Sequence, residues 1–530
     1  MGYWGRHTEH IRKHHMIYFV PAWYTDPEHW DSGRKPWYRV RKQFFDAFLS
    51  QMRMFVHEGE DVCLLNPAHT TGFRRFRFAE DLGNLSCWSA FDVLQGIEID
   101  DCAAFSFRDL PWPEGMEWVY TPFLVWGYLN GEVKARIEFA ATGDLSEISF
   151  YDNERIFSTY RFDERGFVSV VYRYKDGRPP YAYYLNPDGS IRFRENITDK
   201  TVETTATLPA PFARRRYACI GDLVAKTLKN KLDTLDERDT VIVESNSLHN
   251  TLFLDKDRHY KTVLFLQGNS SKTCPQVDLE NADLLVTDSE WEKKRILWKY
   301  PTLKTPFMVV APVDTRLGWG KSSETKQKKI FLQTDSVDDH ELSQILSALQ
   351  TLMKSDQDIE LYAAAEAAPN KGRDAQKEEL SARIEKLSDL HVDREEEENL
   401  GENSELQQMF EEIPDKVFVR TYSTIPELEK ILVDCRLIVD LGEEPSELLQ
   451  IAGISMGIPQ IHKAVTRYID HLKEGYVVHS AEEVMTALRY YLYNLQNWNE
   501  AFMNCVRKVE MYSGKAIVDK WKNRIEDINR

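Results

Sequence analysis

The chain has 530 residues and a formal net charge of −18. A surface that acidic repels a phosphate backbone, which argues against a nucleic-acid binder. Hydrophobic residues make up 42% and charged residues 29%, the mix of an ordinary globular protein with a sizeable core. Its length corresponds to about three domains. Aromatic residues reach 12%, enough to fill a large core or to line a cleft.

The seven cysteines (63, 87, 102, 219, 274, 435 and 505) are widely spaced, with no C-x-x-C pair. They read as free thiols in a reducing compartment. No apolar run approaches the roughly 18 residues that span a bilayer. The stretch Met16–Ala22 is too short for a secretory signal. The expectation is a cytoplasmic protein, with residues 1–15 a polar, His-rich tail and Met16 a plausible true start.

Along the chain, Ile17–Val20 reads as a buried strand, followed by an aromatic-rich loop, Pro21–Tyr38. Arg39–His57 carries apolar residues at helical spacing, and Asp61–Leu65 is a second strand. From Trp118 to Glu195 the pattern changes to short alternating runs separated by Asn130-Gly131, Gly143-Asp144, Asp176-Gly177 and Asp188-Gly189. That predicts an antiparallel meander with tight hairpins. The α/β rhythm resumes near Ile220, with strands at Thr240–Glu244, Thr262–Leu266 and Ala282–Thr287 and helices at Leu223–Leu232 and Ser289–Tyr300. Thr305–Pro312 reads as a strand and a crossover.

A second α/β unit begins at Lys329, with strands at Ile330–Gln333, Ile359–Ala363, Val417–Arg420 and Leu437–Leu441. Its helices are expected at Asp338–Lys354, Ile425–Leu432 and Ser446–Met456. The charged stretch Gln376–Phe410 reads as a solvated helix–loop insertion, and Ala481–Ile528 as helical throughout. The expected layout is α/β: residues 16–117 with 205–308 form a first Rossmann-like domain, 118–204 an inserted β-meander, and 309–485 a second Rossmann-like domain. Helices in 486–530 are expected to pack back on the first domain. Ligands of such folds bind beyond the carboxyl ends of the strands, here in the cleft expected between two sheets.

Gly453-Ile454-Ser455-Met456-Gly457 matches the G-x-S-x-G pattern, but a helical run precedes it where a nucleophile elbow needs a strand. The glycines read as a helix terminus. Gly320-Lys321-Ser322 lacks the first glycine of a phosphate loop.

The segment Leu441–Ile461 resembles the donor-binding signature of retaining GT-B glycosyltransferases, closing on Gly457-Ile458-Pro459. Ala282–Glu290 and Val310–Asp314 resemble that family's late first-domain turn and its crossover. In that family a helix N-terminus meets the nucleotide's pyrophosphate, two glutamates hold hydroxyls, and an Arg and a Lys neutralise the leaving diphosphate. This chain departs from the pattern. The glutamate positions fall on Glu444 and Ala452; Thr334-Asp335 and Asp338-Asp339-His340-Glu341 stand where the cations belong. Losing one preorganised charge stabiliser costs about 2.7–4 kcal/mol in a transition state.

Tyr18–Tyr24, Trp30, Pro36-Trp37-Tyr38, Leu110–Pro113, Tyr120–Phe123 and the meander together resemble the first accessory secretion proteins of Gram-positive accessory Sec systems. The resemblance implies an inactive, GT-B-like cytoplasmic subunit without metal or cofactor. It implies partnership with two companion accessory proteins and a SecA-type motor ATPase, for export of a glycosylated serine-rich repeat adhesin. An active retaining transferase adding N-acetylglucosamine is the alternative, with Lys463, Arg467 or Lys321 standing in for the missing cations. The candidate glycan or acceptor residues are Trp23, Tyr24, Trp30, Trp37, Tyr38, Gln267, Asn269, Glu444, Ser446 and Glu447. Flat aromatic rings stack on the apolar faces of sugars, although each of these rings also fits a core position.

Overall fold

The run Ile-Tyr-Phe-Val is apolar on both faces, as a strand covered on both sides must be. It forms β1 (Ile17–Val20), buried throughout. The computed structural model describes residues 15–25, 29–32, 46–83, 85–103, 105–140, 142–175, 178–205, 214–318, 320–321, 326–335, 337–368, 371–394, 416–443 and 445–530.

After β1 come α1 (Ala47–His57), β2 (Val62–Asn66), α2 (Phe73–Ala79), β3 (Ser86–Ser89) and α3 (Ala90–Gln95). Ten antiparallel strands follow: β4 (Glu117–Tyr120), β5 (Leu124–Leu129), β6 (Glu132–Phe139), β7 (Leu145–Asp152), β8 (Arg155–Asp163), β9 (Phe167–Lys175), β10 (Arg178–Leu185), β11 (Ile191–Asn196), β12 (Val202–Thr204) and β13 (Arg216–Tyr217). The chain then returns to α/β order with α4 (Ile220–Leu232), β14 (Thr240–Glu244), α5 (Asn250–Phe253), β15 (Lys261–Leu266), α6 (Asn269–Thr273), α7 (Gln276–Asn281), β16 (Leu284–Thr287), α8 (Glu290–Lys299) and β17 (Phe307–Val309).

The first sheet is parallel, in the order β17-β16-β15-β14-β1-β2-β3. The chain builds β1, β2 and β3 outward, then returns to the other side of β1 with β14. The reversal between β1 and β14 is a topological switch point, where loops part and leave a crevice.

The meander occupies the excursion between β3 and β14, its strands paired in sequence order. Asn130 and Gly131 both have positive φ (52° and 78°), the two left-handed residues that a tight hairpin requires. Asn153 and Glu154 do the same at 46° and 62° without a glycine. The expected turn at Asp176-Gly177 lies outside the described residues. One end of the meander buries its own core around Phe107, Ile137, Ile148 and Phe162. Its other end shares a core with the parallel sheet, through Val170, Ala182, Tyr184, Phe193 and Val202. The antiparallel sheet thus runs from Glu117 to Tyr217, beyond the 204 boundary expected from sequence, because β13 pairs with β12 after the apparent end of the alternating pattern.

The second parallel sheet comes from β18 (Lys328–Gln333), α9 (Asp339–Ser355), β19 (Ile359–Glu366), α10 (Arg373–Leu387), β20 (Val392–Asp393), β21 (Val417–Tyr422), α11 (Ile425–Leu432), β22 (Cys435–Val439), α12 (Glu447–Ser455), β23 (Gln460–His462) and β24 (Gly475–Val477). Its order is β20-β21-β19-β18-β22-β23-β24, with a switch point between β18 and β22. Within the charged stretch expected to be an insertion, α10 is a helix that buries Leu380 and Ile384. The rest of that stretch, from 395 on, lies outside the described residues. The chain closes with α13 (Val484–Leu492), α14 (Leu495–Met511) and α15 (Gly514–Asn529).

The chain forms two units: residues 1–40, 55–309 and 522–530, and residues 41–54 and 310–521. Helices α13 and α14 differ from the expectation that 486–530 pack on the first domain, whereas Trp521 of α15 bonds to Gln51 of α1, inside the expected first-domain segment 16–117. The physical reason is burial: α13 and α14 place Leu488, Tyr491, Trp498 and Ala501 in the core of the second sheet. Trp521 is fully buried, and its indole N–H donates to Gln51 at 2.9 Å within that unit. Only Lys522–Arg530 group with the first unit.

Candidate functional site

In the first unit the switch point is organised by Glu244, the last residue of β14. Its carboxylate accepts the Ala22 amide at 2.7 Å and the Gln267 side-chain amide at 2.6 Å, so the carboxyl ends of β1, β14 and β15 are tied to one side chain. The backbone carbonyl of Glu244 is 2.7 Å from Nε2 of His249. A carbonyl only accepts, so Nε2 carries the proton and Nδ1 is the acceptor. The Tyr24 hydroxyl donates to that Nδ1 at 2.7 Å. Burial pushes the His249 imidazole down to about 4, and burial together with the Glu244 charge raises the Tyr24 phenol. Neither group is a poised general base at neutral pH.

The structure separates the other aromatic candidates. Trp30 is 7% exposed and belongs to the core, edge-on to Tyr24 at 5.7 Å. A Cβ on Gly221 would come within 3.2 Å of its indole nitrogen. Trp23 packs edge-on against Phe76 at 4.8 Å and stays partly exposed. Asn269 opens the short helix α6; its side chain, and Trp37, Tyr38 and Glu444, lie outside the described residues. Tyr24 and Gln267 are therefore brought together, around two residues that sequence reasoning missed. The available signal was Glu244, a charge closing an otherwise apolar strand, with His249 five positions on.

At the second switch point the chain meets itself with carboxylates. Asp440, just beyond β22, accepts the amides of Gly442 and Ser446, both at 3.2 Å. Ser446 caps α12 by accepting the Leu449 amide. The loop and helix amides that a diphosphate would need are thus already partly engaged by a carboxylate and a hydroxyl. Burial pushes Asp440 up to about 6, against those two amides. Beyond β18, Asp335 accepts the Gln333 side chain at 2.6 Å and the Glu366 amide at 2.7 Å, and burial raises its carboxyl. Asp338 caps α9 by accepting the Glu341 amide at 2.8 Å.

The cations are tied to carboxylates. Lys463 lies 2.6 Å from Glu341 and 3.1 Å from Glu443. Arg467 pairs with Glu447 at 2.7 Å and donates to the Val310 carbonyl at 3.0 Å. Ser446 and Glu447 therefore have structural partners. Ala452 is fully buried in α12.

The G-x-S-x-G stretch is also structural. Ser455 accepts the Leu317 amide at 2.9 Å and donates to the Gly318 carbonyl at 3.2 Å. Gly457 takes φ +70° just after the last turn of α12, and a Cβ there would lie 2.3 Å from the Phe502 ring. All seven cysteines are free, three of them buried. Among the described residues no cluster of His, Cys, Asp and Glu has metal-site geometry, and no helix is long and apolar enough to cross a membrane.

The family model described as accessory Sec system protein 1 matches residues 16–528. An accessory Sec system protein 1 of Streptococcus gordonii is 30% identical over 529 residues, covering 97% of this chain and 99% of that protein. In the crystal structure of accessory secretory protein 1, 2 and 3 in Streptococcus pneumoniae, one chain superposes with a TM-score of 0.74 at 30% identity, covering 97% of this chain and 99% of that one. The pneumococcal O-GlcNAc transferase GtfA superposes with a TM-score of 0.65 at 10% identity, covering 97% and 99%, a likeness of fold alone. The fold is that of the GT-B glycosyltransferases, with an inserted antiparallel sheet.

Proposed function

This chain belongs to the accessory Sec system protein 1 family, and from that premise we propose that it is a non-catalytic subunit of an accessory export complex. In this reading it works in the cytoplasm with two companion accessory proteins and a SecA-type motor ATPase. It holds a glycosylated serine-rich repeat adhesin and helps deliver it for export. The joint presence of accessory secretory proteins 1, 2 and 3 in the pneumococcal structure supports the companions.

One observation carries the non-catalytic part. Where donor chemistry needs free cations, this chain has Asp335, Asp338 and Glu341, and its nearby Lys463 and Arg467 are each paired to a carboxylate. An acidic, cation-poor site disfavours a diphosphate and leaves a developing negative charge unstabilised. The alternative of an active retaining transferase relied on Lys463, Arg467 or Lys321, and the pairing of the first two weighs against it.

Calorimetric titration with millimolar uridine-diphosphate N-acetylglucosamine tests this part, with no heat expected from folded protein. Saturable heat that disappears in Lys463→Ala would overturn it. Co-purification with the companions and retention of glycosylated repeat peptide test the rest. A chain that assembles with neither would overturn the export reading.

A further inference from the structure

Helix α4, 13 residues long, begins without the side-chain cap that its first turn calls for. Its N-cap is Cys219, which makes no side-chain hydrogen bond to the turn. Asp222, the acidic residue of that turn, turns its carboxylate back to accept the Ala218 amide at 3.2 Å. The Asp222 amide reaches the Cys219 carbonyl at 3.2 Å. The amides of Ile220 and Gly221 have no hydrogen-bond partner among the described residues. Two backbone donors are thus left open, with the positive end of the helix dipole behind them.

A third donor faces the same turn from a distant segment. Trp30 is 7% exposed and its ring lies in the core, yet its indole N–H has no hydrogen-bond partner among the described residues. A Cβ built on Gly221 would sit 3.2 Å from that indole nitrogen and 3.4 Å from the Cys219 sulfur. In a helix the Cα–Cβ bond tilts toward the N-terminus. The glycine therefore leaves open the space in front of the first turn, between the two amides and the indole. A buried indole N–H normally finds an acceptor, and here the described residues supply none. Trp30 follows β1, and α4 leads into β14, the parallel neighbour of β1, so the helix starts at the edge where those strands end. The edge-on contact with Tyr24 at 5.7 Å holds the ring in this orientation before any ligand arrives.

The donors select the ligand class. Three neutral N–H groups and a helix dipole suit a single negative charge. A carboxylate brings two oxygens in one plane, one for the Ile220 and Gly221 amides and one for the indole. A phosphate dianion would want a cation in contact, and it would meet the exposed Asp222 carboxylate. A neutral amide or alcohol would forgo the dipole. Arg214 and Arg215, exposed just upstream and without a carboxylate partner among the described residues, add long-range attraction for an anion. We propose that the first turn of α4 and the Trp30 indole N–H form a carboxylate-binding site, which takes a singly charged carboxylate from a free acid or from an acidic polypeptide side chain. The site does not rest on the export reading, because the carboxylate group alone is its ligand.

Ligand-observed saturation-transfer NMR on the full chain tests it at constant ionic strength. The probes are acetate and N-acetylglutamic acid α-amide, with N-acetylglutamine amide as the neutral match. Both carboxylates should receive saturation, and the glutamine compound should not. Gly221→Ala places a methyl group in the open space and should cut the acetate signal at least fivefold, with the circular dichroism unchanged. Trp30→Phe removes the N–H and should weaken the signal as well; because Trp30 also packs in the core, Gly221→Ala decides alone if that variant does not fold. A lower Kd for the glutamate compound than for acetate assigns the site to polypeptide side chains, and an equal or higher one to free acids. Absence of transfer to both carboxylates, equal acetate signal in Gly221→Ala, or equal saturation of the glutamine compound would overturn the proposal. So would inorganic phosphate that binds more tightly than acetate and displaces it.

Discussion

The Tyr24 hydroxyl donates to Nδ1 of His249 at 2.7 Å, while Nε2 of the same ring donates to the Glu244 carbonyl at 2.7 Å. One fully buried, neutral imidazole therefore links the segment after β1 to the end of β14. A site held this way is rigid, and its histidine is committed to structure.

Tyr24→Phe removes the hydroxyl that donates to a buried acceptor, Nδ1 of His249. The expected cost is about 1–3 kcal/mol of stability, the usual penalty for an unsatisfied buried polar group. Urea unfolding measures it, and an unchanged midpoint would contradict the assigned tautomer.

His249 also predicts a pH dependence. Its folded value of about 4 lies below the roughly 6.5 of an unfolded histidine, so the unfolded chain binds the extra proton between those values. Stability from this group is fully present above pH 6.5 and is lost as the pH falls toward 4, by about 3 kcal/mol at most. His462, pushed down to about 4 by burial, acts in the same direction. The comparison that isolates His249 is parent against His249→Gln, whose unfolding free energy should fall less steeply between pH 7 and 4.5.

Asp440 predicts the opposite slope. Its folded value of about 6 lies above the roughly 3.9 of an unfolded aspartate. Its ionisation therefore costs stability as the pH rises from 4 through 6, by about 3 kcal/mol in total. Asp440→Asn lacks that cost and keeps one oxygen to accept either the Gly442 or the Ser446 amide. Its stability relative to the parent should improve across that window. A pH-independent difference between the two proteins would show that Asp440 is not held in this state.

Gly457→Ala should destabilise by about 2–5 kcal/mol, combining left-handed backbone strain with overpacking against Phe502. Ser455→Ala should cost about 1–2 kcal/mol, the worth of the two hydrogen bonds its hydroxyl makes. Thermal unfolding of the two variants ranks them, and a reversed order would revive a special role for the serine.

The rhythm of apolar runs located β1, β14 and β15 and four strands of the second sheet, β18, β19, β21 and β22, because a buried parallel strand must be apolar on both faces; it missed the short β20, β23 and β24. The helix Ile425–Leu432 agrees with its sequence reading residue for residue, since Thr424 caps it and Pro426 suits its first turn. The chain also spelled out its departures from the GT-B donor pattern: Ala452, Asp335 and Glu341 are visible as letters. Sequence alone misjudged the partners of its long helices, because an amphipathic face does not say which core it meets; α14 turned Trp498 into the second sheet. Nor did it find Glu244, His249 or Asp440, which gain their meaning from strands distant in the chain lying side by side. Local pattern determined which segments form strands and helices and which residues stand at the donor-pattern positions. Which polar side chains share a buried site was decided by the tertiary structure, where burial and parallel pairing bring Tyr24 to His249 across 225 positions.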